Sequence, residues 1–413
     1  MISVTGTTAT ASKILIPMDL TQTDHLKAYG LAYWCLQNEV DIEWLLNYRD
    51  GSFLTDDLGQ IAEAARLKGV SYEQISGAEE ARIKKIIEES NMEAVLLEKA
   101  PKIAIYAPPS RRNEPWDDAV NLALEYAEIP FDIIWDPDVL LGKLAEYDWI
   151  HLHHEDFTGQ YGKFYAAYRG TLWYKQDKAL NEMTARELGF RKVSGLKLAV
   201  VNAFEDYMAG GGFLFAMCSA TDTYDIARAA WDTDIVPTEF DGDGIDPDYI
   251  SKLDFSNTLA FENFNVVTNP FIYEHSEIDT SPIRGGRNLS PRADYFTLFD
   301  FSAKWDPIPT MLVQDHTDMV NGFWGQCTGY NKQFIKKNVI LLAETPGKNE
   351  AKYIHGNYGK GTFTFLGGHD PEDYQHMIGD PPTDLRLHKH SPGYRLILNN
   401  VLFPAARKKE RKT

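Results

Sequence analysis

Two apolar periods alternate along this chain. Short apolar runs bounded by polar residues read as buried strands, and segments with apolar residues every three or four positions read as helices. Strands are expected at 13–17 (KILIP) and 41–47 (DIEWLLN), with a helix over His25–Gln37 between them. Two more helices are expected near 55–67 and 78–91, each charged on one face. Pro101 restarts the pattern. Strands follow at 102–107 (KIAIYA), 131–135 (FDIIW) and 148–153 (DWIHLH), with helices at 115–127 and 139–147 between them. This alternation predicts a parallel sheet covered on both faces and joined by right-handed crossovers. The run 196–202 (LKLAVVN) reads as one more strand, and 213–218 (FLFAMC) as another that passes into a helix over 219–230.

Residues 231–335 break the rhythm. They are rich in Asp, Asn, Pro, Gly and aromatics and carry no long periodic segment. They read as an aromatic-rich insertion that shapes a cleft over the sheet. Regular pattern returns in strands at 339–343, 351–355 and 362–366 and in a closing helix at 393–405. The expected organisation is a disordered or processed start (1–12), an N-terminal α/β segment (13–100), a larger α/β domain (101–405) and a basic tail (406–413).

Composition narrows the function classes. A formal net charge of −19 repels phosphate backbones and argues against a nucleic-acid partner. The basic cluster over 407–412 reads as a solvated tail. No apolar run is long enough to span a bilayer. Three cysteines, Cys35, Cys218 and Cys327, make no disulfide framework, and no Cys/His spacing of the zinc type occurs. No cofactor and no metal is expected. The start has no basic or apolar leader segment, which fits a cytoplasmic protein. Its small-residue stretch also fits an exported chain whose signal lies upstream. Nothing in the sequence fixes an oligomeric state.

The candidate chemistry centres on Cys218. It ends an apolar strand and starts a helix, with the small residues Ala216 and Ala220 two positions away on either side. A nucleophile on such a turn is lifted above the sheet toward backbone N–H groups that stabilise a thiolate or an oxyanion. A buried structural cysteine is the competing reading. A second element follows in the run Tyr358-Gly359-Lys360-Gly361, an apolar strand, then Gly367-Gly368-His369-Asp370-Pro371-Glu372. Catalytic groups of open α/β sheets gather at the C-terminal strand edge, where His369 would act as base for the thiol.

A glycine turn, strand, cysteine elbow, Tyr-Gly-Lys-Gly, strand and histidine–carboxylate end, in that order, resemble the class I glutamine amidotransferase-like superfamily over roughly 100–405. The opening segment, with Asp19, Thr23, His25 and Leu26, resembles bacterial proteins labelled asparagine synthetase B. Residue 2 is Ile and no Ser-Gly-Gly pyrophosphate loop occurs, so ATP-dependent amidation is not expected. The superfamily resemblance implies an open, mostly parallel, flavodoxin-like α/β sheet with helices on both faces. It implies a Cys218, His369, Glu372 triad, with Asp370 and Asp373 as alternatives to Glu372. Ser219, His154 and Gly159 would supply the oxyanion or cleft positions. The implied function is a cysteine-dependent hydrolase of an amide or related acyl bond. The alternative is a non-catalytic protein of the same fold that binds a small molecule, peptide or carbohydrate.

The run His153-His154-Glu155-Asp156 reads as a polar cleft wall, because adjacent residues at a strand end point to opposite faces. Residues 241–248 read as a solvated acidic loop rather than a calcium site. Glu274-His275 and Asp315-His316 read as satisfied surface pairs.

Overall fold

The computed structural model describes residues 12–109, 118–280 and 289–407. The expected processed start, the first residues of the 115–127 helix and the basic tail beyond Arg407 lie outside the described residues.

The N-terminal segment forms one five-stranded sheet. Its strands are β1 (Ser12–Ile16), β2 (Ile42–Leu46), β3 (Ser52–Asp56), β4 (Glu73–Ser76) and β5 (Glu93–Leu97). They run antiparallel in the order β4-β1-β3-β2-β5. Successive side chains of a strand face opposite ways. Ile14 and Ile16 therefore join the main core, while Leu15 packs with Leu45, Leu54, Ile83 and Ile87 under the helix Gly77–Glu89. The helix His25–Gln37 forms as expected, capped by Asp24, whose side chain accepts from the Lys27 N–H. The region expected as a helix from 55 begins with β3, and its helix is Gly59–Lys68.

Among the described residues the second sheet has ten strands. β6 (Ile103–Tyr106), β7 (Asp132–Ile134), β8 (Trp149–Leu152), β9 (Phe213–Met217) and a late strand, β15 (Gly361–Leu366), are parallel. Across the sheet they lie in the order β7-β6-β8-β9-β15. Beyond β15 the sheet continues antiparallel through β14 (Glu350–Tyr358), β13 (Ile340–Glu344), β10 (Tyr295–Leu298) and β11 (Met319–Asn321), with β12 (Tyr330–Asn331) beside β14. The sheet is thus mixed, where a mostly parallel one was expected. The α/β class stands, and the insertion supplies β10, β11 and β12 rather than only covering the cleft.

Helices cover both faces of the parallel strands. Phe215 and Met217 face Ala119–Ala127 and Pro392–Leu402, whereas Leu214 and Ala216 face Val193–Gly210 and Ser219–Ala229. The run expected as a strand at 196–202 lies inside the 18-residue helix Val193–Gly210. Its buried residues Val193, Leu196, Val200, Val201, Phe204 and Met208 recur at helical spacing. A helix Leu172–Glu187 precedes it. The two sheets share one core, because His25–Gln37 packs on Ala119–Ala127 and Pro392–Leu402. Among the described residues no helix is long and apolar enough to cross a membrane.

Candidate active site

β8, β9 and β15 are neighbours in register. Leu152 pairs with Ala216, and Leu366 with Met217. The residues just beyond them, His153, Cys218 and 367–369, therefore emerge at one C-terminal edge, where open α/β sheets place ligands.

Cys218 is the turn between β9 and the helix Ser219–Ala229, with φ 52° and ψ −138°. A side chain at positive φ costs about 1–3 kcal/mol and persists only where its surroundings force it. Ala216 and Ala220, both fully buried, leave room for the sharp turn, and the Ala220 N–H donates to the His153 carbonyl at 2.9 Å. The thiol is covered. A loop over 323–328 runs beside 367–369, with the Gly368 N–H donating to the Cys327 carbonyl at 2.7 Å and the His369 N–H to the Trp324 carbonyl at 2.8 Å. The buried Lys352 ammonium pins the same loop by donating to the Phe323 and Thr328 carbonyls at 2.5 and 2.7 Å. The Gln326 N–H points at Cys218 Sγ from 3.2 Å. A Cβ on Gly325 would lie 2.9 Å from both Cys218 Sγ and the His369 backbone nitrogen, so only glycine fits between them. Burial pushes the Cys218 thiol up to about 11, against the N–H groups of Cys327, Gln326 and Ser219, which draw it down.

His369 stands in a group of histidines. Its ring stacks on His376 at 4.0 Å and lies 4.3 Å from His153 and 5.5 Å from His154, centroid to centroid. The rings of His153 and His154 are only 4.8 Å apart. Opposite faces were expected for this pair. That rule holds within a strand, but β8 ends at Leu152, and the chain turns before His154.

Behind His153 stands Asp118, buried at the N-cap of Ala119–Ala127. Its Oδ1 accepts from the Val120 and Asn121 N–H groups, and its Oδ2 lies 2.8 Å from His153 Nδ1 and 3.3 Å from His151 Nε2. Burial alone would raise this carboxyl, but His153 and His151 hold it well below the usual range. Burial lowers His151, opposed by Asp118.

The other expected site residues are placed as follows. Glu372 Oε2 lies 2.8 Å from His388 Nδ1. Asp370 accepts from the Tyr394 hydroxyl and the Glu372 N–H, and Asp373 pairs with His376. Ser219 Oγ is buried, with no hydrogen-bond partner among the described residues. Gly159, at φ +81°, lets the 156–162 loop meet the first turn of Val193–Gly210, where a Cβ would sit 2.7 Å from the Ser194 nitrogen. Gly159 and His154 both line a cavity of about 40 Å³ with Glu155, Asp156, Asp177 and Lys197. In the 241–248 loop, Asp241 and Asp243 gather with Asp234 on the Lys192 ammonium, which stands where a cation would. Glu274-His275, read as a surface pair, is buried, and Asp315-His316, read likewise, is half-buried.

Asp118, Gly325 and Lys352 escaped sequence reasoning. The motif His151-Leu152-His153-His154 at a strand's C-terminal end was the available signal for the histidine group.

No protein-family model matches the chain, and no curated protein matches it. Among solved structures, the cytoplasmic protein STM3548 of Salmonella typhimurium is similar at 10% identity and a TM-score of 0.34, covering 74% of this chain and 100% of its own. The cytoplasmic protein STM1381 of Salmonella typhimurium LT2 is similar at 14% identity and a TM-score of 0.35, with the same coverage. A beta-galactosidase of Bacillus circulans sp. alkalophilus is similar at 11% identity and a TM-score of 0.26, over 72% of this chain and 32% of its own.

Proposed function

We propose that this chain is a cysteine-dependent hydrolase of an amide or related acyl bond, on a flavodoxin-like scaffold of the class I glutamine amidotransferase type. The scaffold reading rests on strand order. In chain order the five parallel strands lie second, first, third, fourth, fifth across the sheet, which is the flavodoxin-like order. The observation that carries the functional reading is the Cys218 backbone, held at φ 52° and ψ −138° at the C-terminal edge. A structural cysteine gains nothing from that conformation, whereas a nucleophile gains exposure to a helix N-terminus.

In the proposed reaction His369 takes the Cys218 proton, because a thiol pushed up to about 11 is otherwise protonated near neutral pH. Sγ adds to the substrate carbonyl, and the Ser219 N–H helps hold the oxyanion. The amine leaves with the proton from His369. Water, deprotonated by His369, then cleaves the thioester. Glu372 would orient His369 through the oxygen that His388 does not hold. The 323–328 loop must open for substrate to reach Sγ.

The test is a screen of small amides, γ-glutamyl compounds and short peptides, followed by kinetics of variants. Cys218→Ala and His369→Ala should each remove most turnover, and the double variant should lose little more, because residues acting on one step are not additive. A fully active Cys218→Ala would overturn the reading. The burial of Cys218 beneath that loop favours the second reading, a non-catalytic binder of a small molecule, peptide or carbohydrate. An absence of hydrolysis in the screen, together with binding that Cys218→Ala leaves intact, would establish that reading instead.

A further inference from the structure

We propose that His153, His154 and His369 form a binding site for one zinc-type divalent ion, with Asp118 fixing His153 from behind. Each of the three histidines offers a ring nitrogen, and these nitrogens all lie within 4.8 Å of one another. They come from two separated stretches of chain brought together at the ends of β8 and β15. Imidazole nitrogens suit zinc, and a three-histidine set leaves a fourth position open.

Asp118 is what separates this group from a chance gathering of rings. A metal-binding histidine normally donates its second ring N–H to a carboxylate, which fixes both tautomer and orientation. His153 Nδ1 lies 2.8 Å from Asp118 Oδ2, and the other oxygen of that carboxylate is locked by two N–H groups of its helix. With Nδ1 against Asp118, Nε2 is the atom left to face an ion. It is buried, and neither ring nitrogen of His153 makes a hydrogen bond of full geometry among the described residues, so Nδ1 meets Asp118 as a close contact. A buried polar atom without a partner is costly to leave desolvated, and an ion would offset that cost. The backbone turn after Leu152 swings His154 to the same side as His153, which a continued strand would forbid. Nitrogens bound tetrahedrally at about 2.1 Å stand about 3.4 Å apart, so ligation asks these rings to close by on the order of 1 Å. That is within the reach of side-chain rotation at His154, the half-buried member.

The site goes beyond the hydrolase reading and does not depend on it, since Cys218 is not a ligand. The two share His369, however. With an ion bound, His369 is a ligand and cannot take the Cys218 proton, so the hydrolase chemistry proposed above belongs to the ion-free chain.

The test is direct binding. The full chain, stripped with a chelator and desalted, is titrated with Zn²⁺ against a competing chelator and with Co²⁺ by visible absorption. We expect one ion per chain and the strong visible bands of four-coordinate Co²⁺. His154→Ala and His369→Ala should each weaken binding by at least about 100-fold, and Asp118→Asn by about 10- to 100-fold. Cys218→Ala should leave the affinity unchanged. Circular dichroism checks folding, and His154→Gln repeats the test at the more exposed ligand should His369→Ala not fold. Absence of stoichiometric binding overturns the proposal. So does binding that survives His154→Ala but is lost in Asp380→Ala, which would move the ion to the outer Asp373, His376, Asp380 group.

Discussion

At the scale of single residues, the strain at Cys218 is the most informative feature. Other non-glycine residues at positive φ, such as Glu128 (φ 60°, ψ 40°), lie in the left-handed helical region, which a side chain tolerates at a turn. Cys218, with ψ −138°, lies far from that region, in territory glycine prefers. Replacing the cysteine with glycine should relieve the strain, while alanine should keep it. Both lose the sulfur. Cys218→Gly is therefore expected to be about 1 kcal/mol more stable than Cys218→Ala in urea unfolding. An alanine variant as stable as the glycine variant would mean that the elbow carries no strain and that Cys218 is not held there against a conformational cost.

At the scale of elements, the join between the two sheets depends on one close approach. A Cβ on Gly30, in the helix His25–Gln37, would lie 1.9 Å from the Ala127 carbonyl oxygen of the helix beside it. Gly30→Ala must push the two helices apart and should cost about 1–3 kcal/mol. Gly59→Ala, where nothing lies within 4 Å, is the control and should be neutral or mildly stabilising. Equal effects in calorimetric melting would show that the interface is plastic. The elements themselves were legible to different degrees. The helix His25–Gln37 and the strand that leads into Cys218 were readable because their patterns are unambiguous over their whole length. The helix Val193–Gly210 was misread because LKLAVVN is, within seven residues, as apolar as a strand. Only the continuation to Phe204 and Met208 exposes the helical period. β4 was missed because it is a polar edge strand, with only Ile75 buried. Cys218 and His369 were legible as candidates, since each stands next to a glycine- or alanine-marked strand end. Asp118 was not, because a helix cap and a histidine partner look alike in sequence. Nor was the meeting of His153 with His154, because alternation stops where the strand stops.

At the scale of the whole molecule, the buried ionisable groups set the response to acid. Burial, then Arg395, His316 and His390, hold His25 down to about 3, and burial holds His275 and His355 to about 4. A histidine unfolds to a value of about 6.5, so above that pH these three contribute nothing. As pH falls from there toward 4 the unfolded chain binds protons that the native one refuses, and stability is lost. Asp118, held well below the carboxylate range, adds to the loss at lower pH. Carboxyls raised by burial oppose it, Asp222 and Asp225 foremost. Burial raises Asp222 to about 7 and Asp225 to about 6, so the native state takes up their protons first and gains stability as pH falls through those values. The gains fall between about pH 7 and the ordinary carboxylate range, and the histidine losses begin near 6.5 and continue to 3 or 4. Unfolding free energy measured by urea titration should therefore change little between pH 7.5 and 6.5 and drop steeply between 6 and 4. Asp222→Asn separates the two contributions, because an amide supplies the neutral form at every pH. It should raise stability at pH 8, where the native carboxylate is charged, buried and has one oxygen without a partner among the described residues. At pH 5 the native Asp222 is already protonated, so there the same substitution should change stability little. A stabilisation as large at pH 5 as at pH 8 would mean that Asp222 does not titrate between them.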